Sequence, residues 1–291
     1  MTGPGPPPVP PPLCYRHPDR VASVVCARCD RPICTDCMIE APVGWQCPEC
    51  VRQGAKTSRV VRPFAGQGLR AAVGTNPTPA VLVLVAVNVL CFVASGFGKA
   101  SILDRFGLWP AQVYVNHQWY RFVDSMFLHF NFEHILFNMV SLIIVGPAVE
   151  LMLGRARFVA LYLLAGLGGN VLAYVLGPSN VLGAGASGAI FGVFAAYVVL
   201  ARRRNVPMGP VPALIVINLV LDFTGLLGNV DWLAHVGGLL VGAALALAYD
   251  AASRLRSAPQ VASVTVGASV VTLAVLALLT LAIVPGQVGI G

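Results

Sequence analysis

Residues 185–204 read GASGAIFGVFAAYVVLARRR, a nearly continuous apolar run that opens on a serine between small residues and ends in three arginines. Similar runs recur along the chain, each near the roughly 20 residues that cross about 30 Å of hydrocarbon as a helix. They lie at about 79–97, 132–153, 157–177, 186–201, 209–227, 232–250 and 262–284. Helices are favoured over strands because a backbone in lipid must satisfy its own hydrogen bonds. The sequence predicts an all-α polytopic membrane protein.

The composition and the distribution of charge agree with that prediction. Hydrophobic residues make up 57% of the chain and charged residues 11%, far from the composition of a soluble domain. Most of the basic residues that flank the spans fall on one side of the bilayer if the N-terminus is cytoplasmic, as the positive-inside rule requires, and the opposite face carries only Lys99, Arg105 and Arg121. Those on the cytoplasmic side are Lys56, Arg59, Arg62, Arg70, Arg155, Arg157, Arg202, Arg203, Arg204, Arg254 and Arg256. We read the net charge of +7 as a topology signal in a multi-pass cell-membrane protein, with the lipid bilayer and not nucleic acid as its partner.

Two polar residues open apolar spans that start on the outer side in this topology. Ser187 opens the fourth span and His235 opens the sixth, so both are expected at similar depth. An ionisable group in hydrocarbon is costly and therefore suggests a functional site, and a histidine beside a serine suggests nucleophilic catalysis. Two pairs of glycines four residues apart, at Gly188, Gly192, Gly238 and Gly242, would let the two helices approach closely. The alternative is ordinary helix packing with a serine bonded to its own backbone.

Together, GASG at 185–188 and HVGG at 235–238 resemble the GxSG and HxxG motifs of rhomboid intramembrane serine proteases. The resemblance covers about residues 80–250. It implies a bundle of six core transmembrane helices plus a C-terminal seventh, and a Ser–His dyad that needs no catalytic metal. It also implies that Phe191, four residues after the serine, stacks on the imidazole. The expected activity is that of a serine endopeptidase that cuts transmembrane segments of other proteins near the outer face.

The second span supplies candidates for binding the oxyanion of the tetrahedral intermediate. His134 and Asn138 are four residues apart and so share a helix face. The resemblance implies that they act with the backbone N–H of Ser187, and that His129 has a structural place. A metal site at His129 and His134 is the competing interpretation. Zinc proteases usually place two histidines four residues apart beside a glutamate, whereas here the spacing is five.

The N-terminal segment carries a different pattern, one C-x2-H pair followed by three C-x2-C pairs. The eight candidate ligands are Cys14, His17, Cys26, Cys29, Cys34, Cys37, Cys47 and Cys50. Eight ligands in four pairs suit two tetrahedral structural zinc sites. Their order resembles B-box-like zinc fingers, which favours interleaved pairs, although the sequence leaves the pairing open. A disulfide framework is the alternative, and the reducing cytoplasm in which the topology places this segment disfavours it.

These patterns divide the chain into four parts. Residues 1–13 are a proline-rich leader, expected to be disordered, with no apolar core of a signal peptide. Residues 14–50 form the zinc-binding domain, 51–78 a linker rich in glycine and proline, and 79–285 the protease domain. A second function class stays open, a catalytically inactive membrane adaptor whose zinc finger recruits cytoplasmic partners. Inactive relatives usually lack the serine or the histidine, and here both are present.

Overall fold

The computed structural model describes residues 10–41, 44–57, 78–224, 231–255 and 257–282. The chain divides into two compact units, Met1–Arg62 and Pro63–Gly291. Most of the predicted leader and residues 58–77 of the predicted linker lie outside the described residues.

The N-terminal unit is built from two short antiparallel hairpins and one helix. Strand β1 (Val24–Val25) pairs with β2 (Pro32–Ile33), and β3 (Ile39–Ala41) pairs with β4 (Gly44–Gln46). A 3-10 turn covers Thr35–Cys37, and helix α1 covers Pro48–Thr57. The buried core consists of six cysteines and Ile33. The metal-ligand candidates are therefore the core of this unit.

Helix α1 extends beyond residue 50, the predicted end of the zinc-binding domain. Residues 51–57, which the sequence assigns to the linker, continue the helix that begins at Pro48. Proline suits the first turn of a helix because its fixed backbone angle is helical and its missing N–H has no partner there in any case. Most of the glycines and prolines that suggested a linker lie at 63–77, after the end of this helix. Gly54 is the one glycine inside the helix, which tolerates it.

Among its described residues, the second unit contains seven helices of at least 14 residues and three shorter ones. In chain order they are α2 (Pro79–Ala94), α3 (Ala100–Phe106), α4 (Pro110–Asn116), α5 (Arg121–Asp124), α6 (Phe132–Leu153), α7 (Arg155–Leu176), α8 (Ser187–Arg203), α9 (Val211–Thr224), α10 (Trp232–Ser253) and α11 (Ala258–Ala282). The seven long helices coincide with the seven predicted spans. Four of them, α6, α7, α10 and α11, are long and apolar enough to cross a membrane. The predicted all-α polytopic fold is confirmed.

Polar residues set the starts of the helices that matter most for the site. The Asn131 side chain caps α6 by accepting a hydrogen bond from the His134 N–H at 2.8 Å. Asp231 caps α10 in the same way, accepting from the Ala234 N–H at 3.1 Å. The buried Glu150 carboxylate accepts from the N–H groups of Ala80 and Val81, which satisfies the first turn of α2.

Helix α8 is the centre of the bundle and packs against α6, α7 and α10. Its contact with α10 is made backbone to backbone. A Cβ atom on Gly238 would overlap the carbonyl oxygen of Gly188, and one on Gly242 would overlap that of Gly192. On its other side α10 lies close to α7, where a Cβ on Gly237 would come within 2.5 Å of the Gly168 carbonyl oxygen. The predicted glycine-mediated approach of the two helices is confirmed, and it places the starts of α8 and α10 side by side.

Candidate active site and metal sites

The close approach of α8 and α10 brings Ser187 and His235 together. Ser187 is the first residue of α8, and His235 lies in the first turn of α10. The Nε2 atom of His235 is 2.7 Å from the Ser187 Oγ, within the range expected between a nucleophile and its base. The histidine is buried, with 5% of its surface exposed. The hydroxyl and the imidazole thus form a direct hydrogen bond between two different helices.

Phe191 holds the imidazole from one side. It lies one turn after Ser187 on α8, and its ring stacks on that of His235 with centroids 4.1 Å apart and planes 8° from parallel. Phenylalanine offers no hydrogen-bonding group, so its contribution is to restrict the ring orientation. The contact that the resemblance implied is therefore present.

Gly185 opens the space in front of the serine. A Cβ at this position would lie 2.8 Å from Cε1 of His134 and 3.6 Å from the Ser187 Oγ. Its φ of +142° is also one that side-chain-bearing residues rarely adopt. The Gly185 N–H donates to the carbonyl of Ser125 at 2.9 Å, which fixes the segment. Because this position has no side chain, the His134 ring can lie next to the serine.

Asn138 lies one turn further along α6 and is also buried. Its Nδ2 donates to the carbonyl oxygen of His134 at 2.9 Å, within its own helix. The His134 ring stacks on Phe130, with centroids 5.8 Å apart and planes 13° from parallel. The structure therefore places the His134 ring next to Gly185. One of the two N–H donors of the Asn138 amide is occupied by the hydrogen bond within α6.

His129 is fully buried and packs edge-on against the rings of Phe92 and His134. In the described part of the chain, the groups of side chains that could hold a metal ion are both in the N-terminal unit. The metal interpretation of His129 and His134 thus lacks a third ligand among these residues.

Two polar residues, Asn170 and Arg121, tie the loop segments to the bundle, and Asn170 was missed at the level of sequence. The Asn170 side chain, in the middle of α7, donates to the Phe122 carbonyl at 2.7 Å and to the Ser125 hydroxyl at 2.9 Å. The buried Arg121 donates to the Gly107 carbonyl at 2.6 Å. A polar residue inside an apolar span was an available signal for Asn170. Its contacts hold Ser125, and through Ser125 the Gly185 segment.

The N-terminal ligand candidates gather into two groups, each made of two sequence pairs that alternate along the chain. One contains Cys14, His17, Cys34 and Cys37, and the other contains Cys26, Cys29, Cys47 and Cys50. Within each group the ligand atoms all lie within 4.8 Å of one another. A tetrahedral zinc site with Zn–S bonds of about 2.3 Å has ligand–ligand distances of about 3.8 Å. The Cys29 and Cys47 sulfurs are 3.8 Å apart, so the donor sets fit a tetrahedral ion.

The thiols differ in how readily they ionise. Burial by itself raises the pKa of Cys14 and Cys26, but backbone N–H groups stabilise their thiolates and lower both values to about 6. Burial and neighbouring cysteines raise the pKa of Cys37 to about 11 and that of Cys50 to about 12. A bound cation would favour all the thiolates together. All eight cysteines of the chain are free thiols, which is also what metal binding requires.

The fold and the site define a polytopic helical membrane protein with a serine bonded to a buried histidine at the start of two adjoining helices. Residues 116–251 match the Rhomboid domain family model. The chain is 39% identical over 131 residues to the putative rhomboid protease YdcA of Bacillus subtilis, covering 44% of this chain and 65% of YdcA. It is 35% identical over 226 residues to the rhomboid protease GluP of the same organism, covering 72% of this chain and 44% of GluP. The match to the rhomboid protease AarA of Providencia stuartii is 29% over 203 residues, covering 58% of this chain and 71% of AarA.

The chain therefore contains a rhomboid domain, which covers residues 116–251. The chain spans less than two thirds of the length of YdcA and of GluP. The matched domain includes α6 to α10 apart from the last two residues of α10, and hence Ser187, His235, His134 and Asn138.

Proposed function

We propose that the protein is an intramembrane serine endopeptidase that cleaves transmembrane segments of other membrane proteins. The observation that carries the proposal is the 2.7 Å hydrogen bond between the Ser187 Oγ and the His235 Nε2 at the start of two apolar helices. The names of the similar proteins, which are rhomboid proteases, support the same activity.

In the proposed reaction His235 is the general base and Ser187 the nucleophile. His235 accepts the hydroxyl proton as Oγ bonds to the scissile carbonyl carbon, and the C=O π electrons move to the carbonyl oxygen. His235 then returns that proton to the leaving amine nitrogen as the C–N bond breaks. Phe191 keeps the imidazole facing the serine throughout. A water molecule, activated by His235, hydrolyses the acyl-enzyme and restores the serine.

The negative charge on the carbonyl oxygen needs hydrogen-bond donors. The N–H groups at the start of α8, that of Ser187 among them, have no partner one turn earlier in the helix and suit this role. We assign the side chains of His134 and Asn138 as the other donors, since His134 lies at Gly185 and Asn138 is one turn away. One donor of the Asn138 amide bonds to its own helix, which leaves the second for the oxyanion.

We further propose that the protein is a multi-pass cell-membrane protein with its N-terminus in the cytoplasm and its active site toward the outer face. The arginines at the ends of α8 and α10 support this orientation by the positive-inside rule, because Ser187 and His235 lie at the opposite ends of the same helices. The two N-terminal clusters would each hold one structural zinc ion. Such an ion stabilises the fold of a unit whose core is its ligands, and takes no part in proteolysis.

The test is cleavage of a model single-pass substrate by the purified full-length protein in detergent. We expect Ser187→Ala, His235→Ala and the double variant all to lose cleavage, with the double variant little worse than either single because the pair acts as one unit. Ser269→Ala, which removes a helical hydroxyl bonded to Tyr249, is the matched control and should stay active. A fluorophosphonate should label the wild type and not the Ser187→Ala protein.

Full activity in the Ser187→Ala protein would refute the dyad. An inert wild type that folds normally and is not labelled would favour the inactive membrane adaptor, in which the zinc unit recruits a cytoplasmic partner.

A further inference from the structure

Three arginines at the ends of α8 and α10 form ion pairs with a single buried carboxylate. Asp250, 3% exposed, lies near the end of α10. Its Oδ2 accepts from Nε of Arg203 at 2.8 Å and from Nη2 of Arg254 at 2.9 Å, and its Oδ1 is 3.5 Å from Nη2 of Arg204. Arg203 and Arg204 come from the end of α8, so the cluster joins two helices.

The cluster carries more positive charge than its internal partner neutralises. Three guanidinium groups share one carboxylate, which leaves a formal excess of two positive charges. The side chains of Arg203, Arg204 and Arg254 are 38%, 32% and 58% exposed, whereas that of Asp250 is 4% exposed. The negative group is therefore covered, and the surface that remains accessible is cationic.

The guanidinium groups are also held in place. Arg254 contacts Asp250 through two of its nitrogens. The Nη1 of Arg204 donates to the carbonyl of Met152, in the last turn of α6, at 3.2 Å. A guanidinium carries five N–H donors in a planar fork, so each keeps donors free after these contacts. Fixed forks with free donors suit phosphate oxygens better than mobile side chains do, because less side-chain freedom is lost on binding.

We propose that the Asp250 cluster, formed by Asp250, Arg203, Arg204 and Arg254, binds the phosphate of an anionic phospholipid headgroup. The occupant is argued from charge complementarity and from location. Arg254 directly follows α10, which is long and apolar enough to cross a membrane, and Arg203 and Arg204 lie beside it at the end of α8. Lipid phosphates lie at the ends of membrane-spanning helices, and the surface that the arginines expose has the opposite charge. The cluster is separate from the proposed active site, since Ser187 and Arg203 are about 24 Å apart along α8.

A purely structural role accounts for part of this arrangement. Arginines near helix C-termini interact favourably with the helix dipole, and one arginine is enough to pair with Asp250 and link α10 to α8. Such a role does not require three arginines on one carboxylate. It also gives no preference for one lipid over another, and this difference is what an experiment can measure.

The experiment measures lipid binding to the full-length protein in detergent by native mass spectrometry, with phosphatidylglycerol and phosphatidylcholine of identical acyl chains. We expect a clear preference for phosphatidylglycerol. Arg254→Gln and Arg204→Gln should each weaken that binding by about tenfold, the effect of losing a charge-assisted hydrogen bond. The matched control is Arg202→Gln, an exposed arginine of the same helix end, which should cost no more than the about fivefold expected for one charge near an anionic surface.

Equal losses in all three variants, or no preference for phosphatidylglycerol, would overturn the proposal. Arg254→Lys keeps the charge but loses the fork, so it should bind phosphatidylglycerol more weakly than the wild type while folding normally. Inorganic phosphate, added against sodium chloride of equal ionic strength, distinguishes the source of the phosphate. Displacement of the lipid by phosphate would show a site for a soluble anion and contradict the lipid assignment.

Discussion

The two units of this chain bury opposite kinds of residue. The core of the N-terminal unit is six cysteines and Ile33, so most of what it hides from water is reactive and able to bind metal. The centre of the helical unit is large side chains such as Tyr162 and Tyr197, interrupted where glycines let two backbones meet. The stability of the first unit is therefore expected to depend on bound metal ions. The packing of the second unit is expected to depend on glycines at a few helix contacts.

The largest effect is expected from adding a side chain where α8 and α10 meet, which tests whether their glycine contacts hold the site. Gly238→Leu would force a side chain against the Gly188 backbone, directly below the Ser187–His235 pair. Overpacking typically costs about 1–3 kcal/mol, and backbone on the other side leaves little room to relax. We expect no measurable cleavage and a lower midpoint of thermal unfolding in detergent.

Gly267→Leu is the matched control, because a Cβ at Gly267 of α11 would meet no heavy atom within 4 Å. It introduces the same side chain into an apolar helix and should leave activity and unfolding close to the wild type. If both variants behaved alike, the close approach of α8 and α10 would not be what holds the site.

A smaller effect is expected from removing one proposed oxyanion donor, the Asn138 side chain. Asn138→Ala should lower kcat by roughly 10²–10³, the usual cost of one donor, with little change in KM. Asn218→Ala in α9 is the control, because the Asn218 amide donates to the carbonyl four residues earlier at 2.7 Å, as the Asn138 amide does at 2.9 Å. Both variants lose the same kind of helical hydrogen bond, so a loss of activity confined to Asn138 reports its place at the site. Equal rates would assign Asn138 to packing.

Much of the helical unit could be read from the sequence, because hydropathy sets the spans and lipid leaves the backbone few alternatives. The Ser187–His235 pair was also readable, since each residue opens a span and carries glycines at helical spacing. The contact of His134 with Gly185 was not, because it depends on a loop with a positive φ that Ser125 holds in place. The sequence showed the arginines around Asp250 mainly as a topology signal. Their shared carboxylate was not visible, because Asp250 lies 47 residues away from Arg203 in sequence.

In the N-terminal unit the spacing of the ligands was readable but the pairing was open. Interleaving becomes visible only when the two hairpins bring Cys14 and His17 next to Cys34 and Cys37. The helical continuation to Thr57 was hidden by the glycines and prolines that follow it. Local composition marks where a linker lies better than where it begins.

Zinc counts in the full-length protein would sharpen the contrast between the units. We expect two zinc ions per chain by elemental analysis, and two after Cys91→Ser, which removes a thiol of α2 outside both clusters. With interleaved sites, Cys14→Ser with Cys34→Ser damages one cluster and leaves one ion, whereas Cys14→Ser with Cys26→Ser damages both. If the pairs followed one another in sequence, these two results would be exchanged. A wild type with one ion or none would refute the two-site prediction.

The smallest effect is expected from removing the N-terminal unit altogether. The proposed catalytic residues all lie in the helical unit, and none of the cysteine or histidine ligands does. A protein lacking residues 1–70 should therefore cleave a model substrate within a few-fold of the full-length rate. Chelators should leave that truncated protein unaffected, because no step assigned to Ser187 or His235 uses a metal. A truncated protein that keeps its helical content but loses cleavage would show that the zinc unit takes part in proteolysis. Inhibition of it by chelators would instead revive a metal site at His129 and His134.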